Sequence, residues 1–229
     1  MTPNLPDHGG NVRAMARLLG CAPEEILDFS ANINPLGPPA WLRPVVARAL
    51  SGAAHYPEPR ADGLRQAAAE RLGIGLDNVV AGNGSSELLY DLPRVCRSMG
   101  IRRAVLPVPC YGDYRRACEA AGLGCENLTL GPETGFGMDW DGVAQLLAEP
   151  ALVIFGQPSN PAGVLLDTAR ILGLADSHPD SFFLVDEAFA DFVPALSRLG
   201  ASLRPNLFVL HSLTKFFAVP GLRLGLGYG

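Results

Sequence analysis

The sequence lacks a long hydrophobic run and has no excess of positive charge. No apolar stretch approaches the ~18 residues that a membrane span needs, and the opening MTPNLPDHGG lacks the charged, apolar and small-residue segments of a secretory signal. Its 18 Lys and Arg residues stand against 23 Asp and Glu, without a basic stripe. Such a composition argues against binding a nucleic-acid backbone. We therefore expect a cytoplasmic protein with neither a membrane nor a nucleic-acid partner.

Paired cysteines are also lacking. The chain has five cysteines, an odd number, and no C-x-x-C pair, which favours a reducing compartment over a disulfide framework and gives no support for a metal site. What the 229 residues do supply is a composition that is 48% hydrophobic, enough to bury a large core. Twenty prolines and 26 glycines are scattered singly between apolar segments, a distribution typical of many short connections.

Short apolar runs alternate with stretches of helical spacing over most of the chain. The runs predict strands at 78–81, 104–108, 151–155, 182–185, 206–210 and 222–226. Helical spacing occurs at 61–73, 85–100, 114–122, 140–149 and 165–178. Because strands that are apolar on both faces are typical of a covered parallel sheet, we predict an α/β fold of three layers, α/β/α, with a mainly parallel sheet. Such sheets bind ligands beyond the carboxyl ends of their strands.

The two ends of the chain differ from this pattern. Residues 1–50 include DFSANINPLGPPAW, which is rich in turn formers, and they predict an N-terminal arm beside a domain at 51–229. The final LRLGLGYG stops inside or directly after a predicted strand, with no closing helix. We therefore expect this chain to be shorter than the complete fold to which it belongs.

Polar groups follow several predicted strands directly. AGNGSSELL places Ser85 and Ser86 at a helix N-terminus that can cradle an anion, although a cap completed by Glu87 is the ordinary alternative. Tyr111 follows the second strand and could lie on a ring-shaped ligand or serve packing. Asn160, in QPSNPAG, could donate its amide to a ligand oxygen or be a turn residue.

Charged groups follow the later strands. Asp186 comes directly after the apolar FFLV, where a carboxylate is costly unless it meets a cation or a strong donor; a salt bridge to a core arginine is the alternative. Lys215 stands beside two phenylalanines, and burial there makes an amine more nucleophilic and able to form Schiff bases. Arg223 suits a phosphate. Taken singly, either cation could be a solvated surface charge.

Together these groups match one cofactor, pyridoxal 5′-phosphate. The set offers an amine for the aldehyde, a carboxylate for the pyridinium nitrogen, an amide for the phenolate, an aromatic ring for stacking and several phosphate ligands. The chain resembles the fold-type-I pyridoxal phosphate enzymes of the aspartate aminotransferase superfamily and, within it, the threonine-phosphate decarboxylases of cobalamin synthesis. The motifs that carry the resemblance are HGGN, DFSANINPLGPP, YPEPR, GNGSSEL, QPSNPAG, VDEAFADF and SLTKFFAVPGLRLG.

The resemblance implies a role for each matching residue. Lys215 would bond to the cofactor aldehyde, Asp186 would pair with the pyridine nitrogen, and Tyr111 would stack on the ring. Asn160 would donate to the ring 3-oxygen, beside the substrate. Positions that match the surroundings of the cofactor phosphate are Ser85, Ser86, Ser212, Thr214 and Arg223.

The resemblance also implies a substrate site and a partner. His8, Gly9 and Asn32 match residues that hold the substrate phosphate, which gives the arm a purpose. Tyr56 matches a tyrosine that is offered by the neighbouring subunit, so we expect a homodimer. The resemblance further implies a C-terminal small domain in complete relatives, which we expect to be missing from this chain. One departure from the family pattern is G-Q-P-S-N-P-A-G, where Gln157 replaces an asparagine of the usual N-P-N-N-P-T-G.

The implied reaction is decarboxylation of L-threonine O-3-phosphate to (R)-1-amino-2-propanol phosphate in cobalamin biosynthesis. A histidinol-phosphate-type aminotransferase has nearly the same core residues and is an alternative, but HGGN and DFSANINPLG favour the decarboxylase. A third alternative, suggested by the early end of the chain, is a non-catalytic module that binds the cofactor or a partner without turnover.

Overall fold

The computed structural model describes residues 9–196 and 198–229. The described α-helices are α1 (Val12–Leu19), α2 (Leu42–Ser51), α3 (Asp62–Leu72), α4 (Ser85–Ser98), α5 (Gly112–Ala120), α6 (Trp140–Leu146), α7 (Thr168–Ser177) and α8 (Leu213–Phe216). The strands are β1 (Val79–Asn83), β2 (Arg103–Val108), β3 (Gly124–Thr129), β4 (Leu152–Gly156), β5 (Phe182–Asp186), β6 (Leu207–Ser212) and β7 (Leu224–Tyr228). Among the described helices, none has both the length and the apolar character to cross a bilayer.

These strands form one sheet in the order β1-β7-β6-β5-β4-β2-β3. The run from β6 to β3 is parallel throughout, whereas β7 is antiparallel to both of its neighbours, β1 and β6. The carboxyl ends of β2, β4, β5 and β6 therefore meet at the same edge. The predicted mainly parallel sheet is confirmed.

The sheet has a core on each face. Val153 and Phe155 of β4 pack in a cluster with residues of α3, α6 and α7. Leu152 and Ile154 of the same strand pack in a second cluster with α4 and α5. Because successive side chains of a strand point to opposite faces, helices cover both sides. This arrangement confirms the three-layer α/β/α architecture.

The predicted elements occur with small shifts in their ends, and one strand was not predicted. All six predicted strands and all five predicted helices are present. The missed strand, β3, reads GCENLT and has no buried residue. It lies at the edge of the sheet, where polar and charged side chains face solvent, so it lacks the apolar run that revealed the others.

Residues 9–60 lie on the outside of this sandwich. Within that range, Ala16 is the one buried residue. The same region carries much of the exposed apolar surface of the described chain, contributed by Leu18, Leu19, Leu27, Phe29, Leu36, Trp41, Val45, Leu50 and Tyr56. The division into an arm at 1–50 and a domain at 51–229 stays a prediction.

Candidate active site

A cavity of about 380 Å³ opens at the edge where the parallel strands end. It brings together most of the predicted site residues: Gly9, Asn32, Ser85, Ser86, Tyr111, Asn160, Asp186, Ser212, Thr214, Lys215 and Arg223. Tyr56 is placed elsewhere and is fully exposed. His8 lies outside the described residues.

Asp186 ends β5 and turns its carboxylate into the cavity. Each carboxylate oxygen accepts one hydrogen bond: Oδ2 from the hydroxyl of Tyr114 at 2.9 Å and Oδ1 from the backbone N–H of Ala188 at 3.0 Å. Burial raises the pKa of Asp186, while these two donors and the charge of Lys215 oppose the rise. The carboxylate is thus held in one orientation and needs a cationic partner.

Lys215 lies on α8, directly after β6, and its side chain is half-buried. Within the described part of the chain, its amine has no hydrogen-bond acceptor. Burial lowers the pKa of Lys215; the negative charge of Asp186 raises it in part, and the positive charge of Arg223 lowers it again. The amine therefore loses its proton more readily than a surface lysine does, as a nucleophile requires.

The start of α4 offers unpaired backbone donors to the cavity. Gly84, with φ of 79°, precedes the helix and provides no side-chain cap. The backbone N–H groups of Ser85 and Ser86 donate to no acceptor among the described residues. Glu87 reaches back to accept from the backbone N–H of Asn83 at 2.6 Å, so it satisfies a different donor. Free N–H groups at a helix N-terminus attract anions.

Arg223 lies against this helix start. Its carbonyl accepts from the N–H of Gly84 at 2.9 Å, and a Cβ at Gly84 would overlap its guanidinium. A Cβ at Gly225, in the next strand, would overlap the backbone nitrogen of Ser85. Two glycines thus let β7 and the guanidinium come close to α4. This places a fixed positive charge beside the free N–H groups.

A pair of hydroxyls completes that end of the cavity. Ser212, the last residue of β6, and Thr214 are both buried, and their side-chain oxygens are 2.9 Å apart. Hydroxyls can donate to or accept from a ligand. Together with the helix N–H groups and the guanidinium, they form a site suited to a phosphate group.

Tyr114 is a site residue that sequence reasoning missed. Its ring is buried in the core on α5, and its hydroxyl fixes Asp186. Burial and the charge of Asp186 raise the pKa of Tyr114, which keeps the hydroxyl protonated as a donor. Tyr111 contacts the same ring edge-to-face, with centroids 5.6 Å apart. The Y-x-x-Y spacing, one helical turn, predicts that the two rings are neighbours, but it does not predict the contact with Asp186.

Arg116 is a second residue that was missed. It lines the cavity from α5 and forms an ion pair with Asp113, with 3.2 Å between Nη1 and Oδ1. Asp113 also accepts from the hydroxyl of Tyr111 at 2.9 Å. From the sequence alone, Arg116 cannot be distinguished from a solvated surface arginine, because only the fold brings it to the cavity.

Asn160 reaches the cavity from the loop after β4. The loop is closed by Gln157, whose buried side-chain amide donates to the carbonyl of Leu166 and accepts from its N–H, both at 2.8 Å. Gln157 is one of the departures from the family pattern. Its side chain stabilises the loop that carries Asn160.

A salt bridge to an arginine, given above as the alternative for Asp186, is formed instead by its neighbour Glu187. Glu187 points away from the cavity, and Arg198 Nε lies 2.7 Å from its Oε2. Its other oxygen accepts from the N–H of Leu199 at 2.8 Å. Adjacent residues at the end of β5 therefore serve different purposes: Asp186 faces the cavity and Glu187 faces the packed rear.

The donor set fits pyridoxal phosphate. The helix N–H groups, the hydroxyl pair and Arg223 suit its phosphate, while Asp186 is a buried carboxylate in need of a cation, as a protonated pyridine nitrogen is. Lys215 lines the same cavity with a pKa lowered by burial. With this cofactor bound, Asp186 and Arg223 would each meet a group of opposite charge.

Comparison with known proteins gives relatives that include threonine-phosphate decarboxylases and histidinol-phosphate aminotransferases. The profile of the family described as aminotransferase class I and II matches residues 24–229. The chain is 38% identical, over 98% of its length, to the adenosylcobalamin biosynthesis bifunctional protein CobDQ of Leptospira interrogans, of which it covers 26%. It is 34% identical, over 95% of its length, to a threonine-phosphate decarboxylase of Salmonella typhimurium, of which it covers 60%.

A solved structure is similar as well. The L-threonine-O-3-phosphate decarboxylase from Porphyromonas gingivalis superposes with a TM-score of 0.74 at 25% identity, covering 89% of this chain and 60% of that one. The chain thus spans 60% or less of the length of these relatives.

Proposed function

Because this chain belongs to the aminotransferase class I and II family, whose cofactor is pyridoxal 5′-phosphate, we propose that it carries the cofactor site of a lyase. The proposed reaction is decarboxylation of L-threonine O-3-phosphate to (R)-1-amino-2-propanol phosphate in cobalamin biosynthesis, in the cytoplasm. Relatives named for this reaction and for adenosylcobalamin biosynthesis support the choice. The five free cysteines suit a reducing compartment.

One observation carries the proposal: a single cavity is lined both by the cofactor set and by the arm. Lys215 and Asp186 form its inner part, and Gly9 and Asn32 lie on its wall. A phosphorylated amino acid needs an anion site beside the reacting amine. Gly9 and Asn32 support such a site, because they line the same cavity as Lys215.

Each side chain of the cavity has its own role in the proposed reaction. When bound, pyridoxal phosphate supplies an electron-accepting ring that stabilises the electron pair left behind as carbon dioxide departs. Asp186 would hold a proton on the pyridine nitrogen, with Tyr114 fixing the carboxylate. Lys215 would anchor the cofactor, and its amine is placed to donate a proton to the substrate α-carbon in the position that the carboxylate leaves. Ser85, Ser86 and Arg223 would bind the cofactor phosphate.

We also propose that the active protein is a homodimer. Tyr56 is fully exposed and does not line the cavity of its own chain, as expected of a residue offered to a neighbouring subunit. The nine large apolar side chains exposed between residues 18 and 56 support the same assembly, because burial against a second subunit would remove them from water.

The test is an assay of the purified protein with its cofactor. L-threonine O-3-phosphate should release carbon dioxide and yield one equivalent of the phosphoamine, and unphosphorylated L-threonine, the control, should not. Release of neither product would refute the proposed reaction. Glutamate formation with 2-oxoglutarate as amino acceptor would favour an aminotransferase, which the family description also fits. Cofactor binding without any turnover would favour a non-catalytic module.

A further inference from the structure

In the described part of the arm, residues 9–50, the hydrogen bonds to the sheet domain converge on one point. Within the described residues, two hydrogen bonds join segment 9–50 to the chain beyond residue 60, and both come from Asn34. Its backbone N–H donates to the carbonyl of Lys215 at 3.1 Å, and its side-chain Nδ2 donates to the carbonyl of Phe216 at 2.9 Å. An edge-to-face contact between Trp41 and Phe217, with centroids 6.3 Å apart, supports this attachment.

The carbonyl of Phe216 needs such a donor, because it has no other among the described residues, whereas that of Lys215 also accepts from the N–H of Ala218. The last carbonyls of a helix have no partner within the helix, and Lys215 and Phe216 are the last residues of α8. Asn34 therefore caps α8 from a position 182 residues earlier in the chain. Its side-chain oxygen is also used, since it accepts from the N–H of Leu36 at 3.0 Å and so fixes the local turn.

The same stretch of arm reaches the cavity. Ser30, Ala31 and Asn32 line its wall, two to four residues before Asn34. Because Asn32 is only two residues from Asn34, the contact of Asn34 with α8 also fixes the position of Asn32. Loss of the contact would release the wall, because residues 9–50 otherwise have little burial to hold them.

We propose that Asn34 is a positioning residue: it docks the arm on the carbonyl end of α8, so that the arm residues of the cavity keep a fixed spacing from Lys215. α8 itself depends less on the contact. Ala218 donates to the carbonyl of Lys215 and Val219 to that of Thr214, so the lysine stays in place when the arm leaves. The inference rests on the proposed function only where it concerns substrate affinity.

Two variants separate the docking contact from the local turn. Asn34→Ala removes both uses of the side chain, whereas Asn34→Asp keeps an oxygen for Leu36 and removes the donor to Phe216. Asn127→Ala, an exposed asparagine on β3, is the control for loss of an amide. The readouts are hydrogen exchange of the backbone amides at 30–37, KM and kcat for L-threonine O-3-phosphate, and the visible absorbance of bound pyridoxal phosphate.

Both Asn34 variants should exchange the amides at 30–37 about fivefold faster than the unaltered protein, the factor expected for loss of one hydrogen bond. KM should rise about fivefold or more while kcat and the visible absorbance change less than about twofold. Wild-type behaviour of Asn34→Asp would assign the effect to the turn and overturn the proposal. Parallel loss of kcat, absorbance and thermal stability would overturn it too, since that indicates a merely structural role.

Failure of the proposed function has a different appearance. If the unaltered protein does not act on L-threonine O-3-phosphate, the exchange rates still decide whether Asn34 docks the arm. Unchanged exchange in Asn34→Ala would then refute the docking contact, whatever the substrate is.

Discussion

Lys215 presents its amine from a short helix into the shared cavity, where the side chain is half-buried and the amine has no acceptor among the described residues. We expect Lys215→Ala to change the free energy of unfolding by less than about 1 kcal/mol, because a half-buried flexible side chain adds little to packing. The variant should lose the visible absorbance of cofactor bonded to a lysine and all turnover. Spectra and thermal unfolding measure both. Absorbance that persists in the variant would assign the covalent bond to another amine.

Asp186 provides a prediction about pH. Its pKa is raised in the folded protein, so the folded state holds the proton more tightly than the unfolded chain, and stability from this group falls as pH rises from 3.8 through the raised pKa. In cofactor-free protein, Asp186→Asn should therefore raise the free energy of unfolding by about 1 kcal/mol at pH 7.

The gain should shrink as pH falls toward 3.8, the ordinary pKa of an aspartate, because the wild-type carboxyl is then neutral too. Urea unfolding at a series of pH values measures it, and Asp180→Asn, on the exposed surface, controls for loss of one charge. A variant that is less stable than wild type at pH 8 would mean that Tyr114, Ala188 and Lys215 compensate the buried charge fully.

Residue types at strand ends predicted much of the candidate site, because nucleophile, carboxylate and phosphate ligands are chemically distinctive. Lys215, Asp186 and Arg223 could be selected in this way, and they line one cavity. Tyr114 and Asn34 could not. Each acts through a contact with a residue far away in sequence, 72 and 182 positions respectively, and an ordinary core tyrosine or turn asparagine has the same local pattern.

Among the elements, β7 and α4 are in unusually close contact. Gly225→Ala should push the start of α4 away, since the added Cβ would overlap the backbone of Ser85. We expect a loss of about 2–3 kcal/mol in the free energy of unfolding and about tenfold weaker binding of pyridoxal phosphate, as for one lost bond to a charged group. Urea unfolding and cofactor titration measure these effects.

Gly173→Ala is the matched control for that change. Gly173 lies on the exposed side of α7, and nothing is within 4 Å of the position a Cβ would take. Alanine is the better helix former, so this variant should gain about 0.5–1 kcal/mol. Equal effects of the two substitutions would show that the close approach of β7 to α4 does not contribute to the free energy of unfolding.

Periodicity predicted the central elements well, because strands buried on both faces have continuous apolar runs. The edge strand β3 was missed for the converse reason, since all of its residues are partly or largely exposed and it has no continuous apolar run. The direction of β7 was also beyond prediction: its sequence is apolar like that of the parallel strands, and only pairing with β1 and β6 reveals that it is antiparallel.

For the molecule as a whole, a shared active site can be tested by mixing two inactive variants. Lys215→Ala is defective in its own cavity, and Tyr56→Ala would be defective in the partner's cavity. Random reassembly makes half of the dimers mixed, and each mixed dimer has one intact site, so activity should return to about a quarter of wild type. Mixing Lys215→Ala with Asp186→Asn is the control, because both changes fall in one chain's own cavity.

No recovery in the first mixture, together with a monomeric mass by sedimentation, would refute the shared site. Partial recovery in the control mixture would mean that each subunit contributes residues besides Tyr56 to the cavity of its partner. Either result leaves the fold and the contacts within one chain as described.

The strand order has a consequence for biosynthesis. β1 pairs with β7 alone, so a segment made early on the ribosome must wait for one made about 140 residues later. At translation speeds of ~5–20 residues per second, that delay lasts roughly ten to thirty seconds. Until β7 emerges, Gly84 and Ser85 lack the backbone against which they are held, so a nascent chain can assemble its apolar layers well before it can take up a phosphorylated ligand.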